Sequence, residues 1–196
     1  RTRTSVWAAR KPRAGAAVRT GPENPLQLTS PIPRPSPKAL AARDHERSGA
    51  EREAIEAALG WLDRHQGENG RLVGHALSTR CQGAACTGDG QRFEVGHTGM
   101  ALLALLGAPK DLRRAYSGSS LRATLALLAL QDRRSGCFGQ PNAHSNFLYE
   151  HALATAAVAV MAALHPSPAL MNSVERAGQF ILACRNDDRA WRYAYP

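Results

Sequence analysis

The sequence predicts an all-α protein, and three observations lead to that prediction. Stretches that are apolar on one side alternate along the chain with stretches that are apolar on every side. No stretch alternates apolar and polar residues with a period of two for long enough to predict a sheet. A similar group of residues follows three of the expected helix ends. Half-exposed helices that alternate with buried ones predict a double-layered helical barrel or solenoid built from hairpins.

The first expected helix begins at Ser48-Gly-Ala-Glu51, which has the pattern of a capping box. In such a box the Ser hydroxyl and the Glu carboxylate accept hydrogen bonds from backbone N–H groups that the first turn leaves unpaired. Ile55, Leu59 and Leu62 then recur at helical spacing, with charged residues on the other side. This pattern predicts an amphipathic outer helix.

Two segments, 99–106 (GMALLALL) and 152–164 (ALATAAVAVMAAL), are apolar on every face. A helix of this kind is expected to be buried on all sides. We therefore predict two inner helices, each with neighbours around it.

Two further segments are predicted to be amphipathic outer helices. One covers residues 121–130, and the other begins at Ser167 and Pro168, a cap residue followed by proline in the first turn. Their expected apolar rows are Leu121, Leu125 and Leu128 in the first helix and Met171, Val174, Gly178 and Ile181 in the second.

Three of the expected outer helices end in a polar residue, a turn and then an apolar or aromatic residue. The three sets are Gln66, Gly70 and Leu72; Gln131, Gly136 and Phe138; and Arg185 and Trp191. A glutamine at a helix end can hydrogen-bond carbonyls that would otherwise lack partners, and glycine ends a helix in the left-handed conformation. We therefore expect one type of connection to recur along the chain.

The positive charge is concentrated near the beginning of the chain. Of the formal net charge of +9, residues 1–50 contribute +7, from ten Lys and Arg against three Asp and Glu, and they hold seven of the 12 prolines. A segment of this composition cannot bury enough apolar surface to offset its ordering entropy. We interpret residues 1–46 as a disordered, basic, Pro-rich tail and residues 47–196 as the folded part. No specific nucleic-acid binding is expected, because Trp7 has no further aromatic residues near it to stack on bases.

Composition also excludes two classes of protein. Four cysteines are too few for a small scaffold held together by disulfides. No uninterrupted apolar run reaches the roughly 18 residues that a membrane-spanning helix needs.

The recurring connections resemble the repeats of squalene and terpenoid cyclases and of protein prenyltransferase β subunits, which form α/α toroids. The segments most similar to a bacterial branch of this family, the prenyltransferase and squalene-oxidase-repeat proteins, are 94–108 (EVGHTGMALLALLGA), 130–139 (LQDRRSGCFG), 149–160 (YEHALATAAVAV) and 191–196 (WRYAYP). The chain departs from the family pattern at Leu72 and Phe138, where tryptophan is usual, and at Arg185, where glutamine is usual. The resemblance covers about residues 50–196. It implies an incomplete toroid, in which this chain forms the first half of the ring.

The resemblance implies two kinds of function. The DxDD acid of cyclases, the DDxxD cluster of ionising synthases and the Asp-x-Cys zinc pair of prenyltransferases are all missing from this sequence. We therefore interpret the chain as a non-catalytic binding module for an apolar, peptide, glycan or lipid ligand in a central cavity. The alternative is a terpenoid cyclase- or prenyltransferase-like enzyme that acts on a polyprenyl or other apolar substrate, with its catalytic motif outside this segment. The expected partners are the second half of the toroid or a second copy of the chain.

In such a toroid the beginnings of the inner helices face the cavity, so the polar residues there are candidates for a site. Carboxylate and imidazole pairs can act as acid–base partners or bind a cation. They can equally cap buried helices, whose first N–H groups need acceptors. The candidate catalytic residues are Glu94, His97, Glu150 and His151, and Phe147 and Tyr149 are candidate ligand-binding residues on the cavity wall.

No cofactor is evident in the sequence, and zinc is an alternative at a Cys-containing loop. Zinc prefers four Cys and His ligands, and the set available around this loop is His75, Cys81, Cys86 and His97. The spacing of Cys81 and Cys86 is looser than the C-x2-C that indicates zinc. A disulfide between these two cysteines, or two free thiols, remains open.

Overall fold

The computed structural model describes residues 49–72, 74, 80–81, 93–141, 144–185 and 191. The tail at 1–46, the proposed cap at Ser48, and His75 and Cys86 lie outside these residues. The helices of the described part are α1 (Gly49–His65), α2 (Glu94–Gly107), α3 (Lys110–Ala115), α4 (Ser117–Leu130), α5 (Phe147–Leu164) and α6 (Pro168–Ala183). The all-α prediction is confirmed, because the described residues contain no strands and only isolated β-bridges.

Helices α2 and α5 pack directly against each other and run in the same direction. The backbone N–H of Gly96 donates to Glu150, and one turn later Gly99 lies against Ala154. A Cβ atom added to Gly99 would lie only 2.9 Å from the backbone nitrogen of Ala154. Glycine is therefore required for the close approach of these two helices.

The other long helices flank this central pair. Helix α4 packs on α2 and α6 packs on α5, while α1 is joined to the start of α4 through side chains. These contacts place α2 and α5 in an inner layer and α1, α4 and α6 in an outer layer. The largest apolar cluster fills the space between them and consists of Val95, Leu102, Leu106, Ala123, Leu127, Phe138, Ala154, Ala157, Val158, Met161, Ala162, Leu170 and Ala177.

The apolar rows predicted for the two later outer helices are only partly core faces. Leu121, Leu125 and Met171 are each more than half exposed, whereas Leu128 and Val174 pack against the core. The buried faces lie beside these rows and include small or polar residues: Ser119, Ser120, Ala123, Thr124, Ala126 and Leu127 in α4, and Leu170, Ser173, Ala177 and Phe180 in α6. Hydrophobicity alone misplaced much of both faces, because small and polar side chains occupy a large share of the buried surface.

The prediction that the inner helices are buried on all sides is also wrong for the described part of the chain. Met100 in α2 is 48% exposed, and Val160 and Leu164 in α5 are 38% and 41% exposed. By length and composition α5 is the one helix among the described residues that could cross a membrane, but half of it is buried inside the protein, as in the core helix of any helical domain. The outer layer covers one side of these helices and leaves the other side exposed.

The connection after α4 is held by the side chain of Gln131. Its Nε2 donates to the carbonyl oxygens of Gly136, at 3.0 Å, and Ser173, at 2.9 Å. Its Oε1 accepts from the Ser173 hydroxyl at 2.7 Å and from the Arg176 guanidinium at 2.8 Å. One buried amide therefore ties the end of α4 to the turn that follows and to the next outer helix, α6.

The connection after α1 is built in the same way. Gln66 Nε2 donates to the carbonyl oxygens of Gly70 and Ser119, both at 3.0 Å, and its Oε1 accepts from Arg122 Nε at 3.0 Å. An isolated antiparallel bridge follows in each copy, Gln66 with Leu72 and Gln131 with Phe138. The same glutamine hydrogen bonds therefore occur in both connections, and each includes a Ser-x-x-Arg pair on the next outer helix.

The third connection differs from the first two. Arg185 takes the place of the glutamine, and its guanidinium lies 5.4 Å from the centre of the Trp191 ring. The Trp191 indole N–H donates to the carbonyl oxygen of Ile181 at 2.8 Å. The aromatic residue here is therefore held against the end of α6 through its own indole.

The turn glycines are needed for two reasons. Gly70 and Gly136 both have φ of +81°, in the left-handed region that favours glycine. A Cβ at Gly70 would lie 2.1 Å from the Arg122 carbonyl oxygen, and one at Gly136 would lie 2.4 Å from that of Arg176. Each turn therefore presses its backbone directly against the backbone of the next outer helix.

We expect Gln131→Glu to lower the free energy of unfolding at neutral pH by about 2–3 kcal/mol. The substitution replaces a buried N–H donor by an oxygen that faces two carbonyl oxygens, so the lost hydrogen bonds are not replaced. Urea denaturation measures the change. Gln179→Glu, on the exposed side of α6, is the matched control and should change stability by about 0.5 kcal/mol or less. Equal effects of the two substitutions would contradict the role given to Gln131.

Candidate functional site

Glu150 is buried and binds the beginning of the neighbouring inner helix. Its Oε2 accepts the backbone N–H of Gly96, in the first turn of α2, at 2.9 Å. Its Oε1 accepts from His144 Nε2 at 2.6 Å. A carboxylate at a helix N-terminus is stabilised by the unpaired N–H groups and by the helix dipole. Glu150 therefore caps α2 from another helix, rather than its own helix.

An imidazole and an aromatic ring complete this cluster. His144 Nδ1 accepts the backbone N–H of Asn146 at 3.1 Å, so both of its ring nitrogens are bonded. The ring of Phe93 lies edge-on to His144 and to His97, with centroid distances of 5.5 and 6.1 Å. The contacts of this cluster hold the loop before α5 against the start of α2.

Glu94 lies on a different side of the start of α2. It forms a partly buried ion pair with Arg71, with an N–O distance of 3.3 Å. Arg71 follows the Gly70 turn, so this ion pair ties the first connection to the inner helix.

His151 is fully buried and acts as a core residue. Its Nδ1 accepts the backbone N–H of Phe138 at 2.9 Å, and its Nε2 donates to the carbonyl oxygen of Ala177 at 3.1 Å. Its ring packs edge-on against Phe180, with centroids 4.9 Å apart. Burial lowers the pKa of His151 to about 4, and the hydrogen bond to Ala177 opposes this effect only in part. A neutral imidazole therefore links α5 to the second connection and to α6.

The four candidate catalytic residues do not occupy matching places on the two inner helices. The matching acceptor on α2 is Thr98, whose Oγ1 accepts the backbone N–H of Leu72 at 3.0 Å, as His151 does for Phe138. When α2 and α5 are aligned by matching Thr98 to His151, Glu150 of α5 corresponds to His97 of α2. Each inner helix therefore supplies one acceptor for the turn residue that packs on it, and the chemistry of that acceptor differs.

Of the four proposed zinc ligands, the structure describes Cys81 and His97. Cys81 Sγ lies 3.4 Å from His65 Nε2, and His65 Nδ1 lies 2.7 Å from the Trp61 carbonyl oxygen. The described part of the chain holds no group of three or more His, Cys, Asp or Glu side chains placed to bind a metal ion. The described contact of Cys81 is thus with His65, which was not among the predicted ligands.

Phe147 and Tyr149 have different environments. Phe147 is buried, and its ring packs edge-on against Phe180, so it is a core residue rather than a ligand-binding one. Tyr149 is 57% exposed and lines an apolar pocket of about 260 Å³. The pocket lies between the first turns of α5, the end of α6 and Trp191, and its walls are Leu148, Tyr149, Ala152, Ile181 and Trp191.

Of the five pocket residues, Tyr149 alone was predicted from the sequence as a ligand-binding residue. Trp191 and Ile181 were noted only as parts of a repeat and of an apolar row. Trp191 occupies the place where Leu72 and Phe138 are buried, yet it is 49% exposed, and the sequence carried no signal for this exposure. A position that is core in two repeats and exposed in the third indicates a surface.

The two buried cysteines lie in one small apolar cluster with Phe147, Leu148 and Phe180. Cys137 and Cys184 are free thiols, and burial raises their pKa values to about 12 and about 11. Thiols in such surroundings stay protonated and act as small apolar side chains.

No family model, curated protein or solved structure matches this chain.

Proposed function

We propose that this chain is part of a toroid of the squalene-cyclase and prenyltransferase-repeat type, and that it binds an apolar ligand without catalysing a reaction of that ligand. The parallel contact of α2 and α5 supports the toroid, because adjacent inner helices run side by side in such folds. The two glutamine connections support it as well, since they join successive outer helices by the same hydrogen bonds.

The observation that carries the binding function is an uncharged row on the exposed side of α5. The residues of this row recur at spacings of three and four, so they form one continuous stripe along the helix. All five residues are exposed: Tyr149, Ala152, Ala156, Val160 and Ala163. A contiguous apolar surface of this kind is typical of a binding site.

The chemistry of the row favours an aliphatic or isoprenoid chain as the ligand. Its only polar side-chain group is the hydroxyl of Tyr149. A glycan or an extended peptide would bring many donors and acceptors, and leaving them without partners costs free energy. A hydrocarbon chain has none to satisfy.

The polar candidates support binding rather than catalysis. Glu94, Glu150 and His151 are each held by hydrogen bonds or an ion pair within the protein. A group that serves as a general acid must instead present its proton to the substrate. These residues stabilise the scaffold that carries the row.

The test is a titration of the full chain with farnesol, an isoprenoid alcohol, by calorimetry. We expect Val160→Asp to weaken binding by about tenfold or more, because the carboxylate must be desolvated against the hydrocarbon chain. Circular dichroism should show an unchanged fold, since Val160 is partly exposed.

Leu125→Asp is the matched control, because Leu125 is an exposed apolar residue on the outer helix α4. It should leave farnesol binding unchanged. Wild-type protein that fails to bind farnesol, or equal losses in both variants, would refute the proposed function.

A further inference from the structure

The pocket at the start of α5 lies at a position that is filled in the preceding repeat. In the register set by Thr98 and His151, Tyr149 and Ala152 of α5 correspond to Gly96 and Gly99 of α2. Those two glycines are covered by α5 itself, through Glu150 and Ala154. The repeat therefore places a further inner helix over the pocket.

The chain carries a second surface that matches the residues α5 uses to cover α2. Glu150, Leu153 and Ala154 lie against Gly96 and Gly99, and they correspond to His97, Met100 and Ala101 of α2. Met100 is 48% exposed and His97 is half-buried, whereas Ala101 is buried. One edge of the inner layer thus has the form of a docking helix, and the opposite edge has the form of its receptor.

We propose that these two edges bind each other in different copies of the chain, so that the protein associates head to tail. The receptor edge is defined as Leu148, Tyr149 and Ala152 of α5, together with Ile181 and Trp191. The docking edge is defined as His97 and Met100 of α2. The contact continues the α2–α5 interface from one copy to the next. It is heterologous, because the two copies contribute different surfaces. It rests on the repeat register, and its receptor edge shares Tyr149 and Ala152 with the row proposed to bind the ligand, so a second copy and a ligand compete for these two residues.

The proposed contact between copies differs from the α2–α5 contact in one respect, and this difference accounts for the pocket. Tyr149 and Ala152 stand where α2 has glycines, so a helix over the receptor edge stays further from the α5 backbone. The space left is the apolar pocket of about 260 Å³. Met100 of the second copy is the long, flexible side chain at the centre of the docking edge, and it inserts into this space. Methionine suits such irregular gaps and makes favourable sulfur contacts with aromatic rings such as that of Trp191.

Sedimentation velocity of the full chain over a range of concentrations tests the proposal. The wild type is expected to form dimers and larger species as concentration rises. Ala152→Glu, which places a charge in the receptor edge, and Met100→Glu, which places one in the docking edge, should each abolish this association. Ala58→Glu, at an exposed position of α1, is the matched control and should associate like the wild type.

Mixing the two variants separates this arrangement from a symmetric one. Ala152→Glu keeps an intact docking edge and Met100→Glu keeps an intact receptor edge, so an equimolar mixture should form a one-to-one dimer. A mixture that stays monomeric would refute the head-to-tail contact. A monomeric wild type, or association that survives either substitution, would refute the docking surface. A monomer that binds farnesol and loses this binding in Ala152→Glu would assign the pocket to a ligand and overturn the proposal. Sedimentation is measured without farnesol and ligand binding is measured by calorimetry, so either proposal can fail while the other holds.

Discussion

Gly136→Ala is expected to lower the free energy of unfolding by about 3 kcal/mol or more. Two costs add: a left-handed φ of +81° that alanine rarely adopts, and a Cβ atom 2.4 Å from the Arg176 carbonyl oxygen. That oxygen belongs to the backbone of α6, so relief of the clash would move a helix. Thermal and urea denaturation measure the loss.

The control for this substitution lies on the helix that Gly136 touches. Gly178 is in α6, and a Cβ there would meet no atom within 4 Å. Gly178→Ala should therefore raise stability by about 0.5–1 kcal/mol, since alanine is favoured over glycine inside a helix. A Gly136→Ala protein as stable as the wild type would contradict the described turn.

His151→Asn is expected to cost about 3 kcal/mol at neutral pH. Asparagine is shorter than histidine, so it leaves a cavity beside Phe180 and cannot bond both Phe138 and Ala177. A residue that merely capped its own helix would cost about 1 kcal/mol or less, because asparagine also caps. Chemical denaturation at pH 7 therefore distinguishes the core role from the capping role.

The same histidine makes stability depend on pH. Its pKa is lowered in the fold from 6.5 to about 4, so the unfolded chain takes up a proton below about pH 6.5 while the folded chain does not. Stability is therefore present above pH 6.5 and is lost as the pH falls towards 4, by about 3 kcal/mol in all. His151→Asn should lack this part of the acid sensitivity, whereas His165→Asn, at an exposed position, should retain it. Parallel acid profiles for wild type and His151→Asn would contradict the assignment.

The long helices of the described part and their order could be predicted from the sequence, because three show helical periodicity and two are continuous apolar segments, whereas the short helix α3 was not predicted. The buried faces of α4 and α6 could not be predicted. There Ala123 and Ala177 are fully buried while Leu125 and Met171 are exposed. Hydrophobic periodicity measures the preference of a side chain, whereas close packing depends on its size. The Gln and Gly pattern reflects both the chemical preference and the size of the side chains, so the first two connections could be predicted from the sequence.

The candidate site was harder to predict, because the same polar residues suit a cavity and a helix junction. Glu150 and His151 were selected from the sequence as candidate catalytic residues at the start of an inner helix. Their neighbours in space, Gly96 and Ala177, lie 54 and 26 residues away in sequence, and these contacts define what the two side chains do. The pocket depended on an exposed Trp191, and exposure at a repeat position is not encoded by residue type.

The glutamine connections also have a consequence for how such a domain can grow. Each connection draws its glutamine and glycine from one hairpin and its serine and arginine from the next: Gln131 and Gly136, then Ser173 and Arg176. A duplicated hairpin therefore carries the serine and arginine for the junction with the hairpin before it. It also carries the glutamine and glycine for the junction with the hairpin after it. Duplication preserves every junction, while loss of a single glutamine removes the selective reason to keep an arginine one hairpin away. Gene duplication is then a smaller evolutionary step for this architecture than piecemeal substitution.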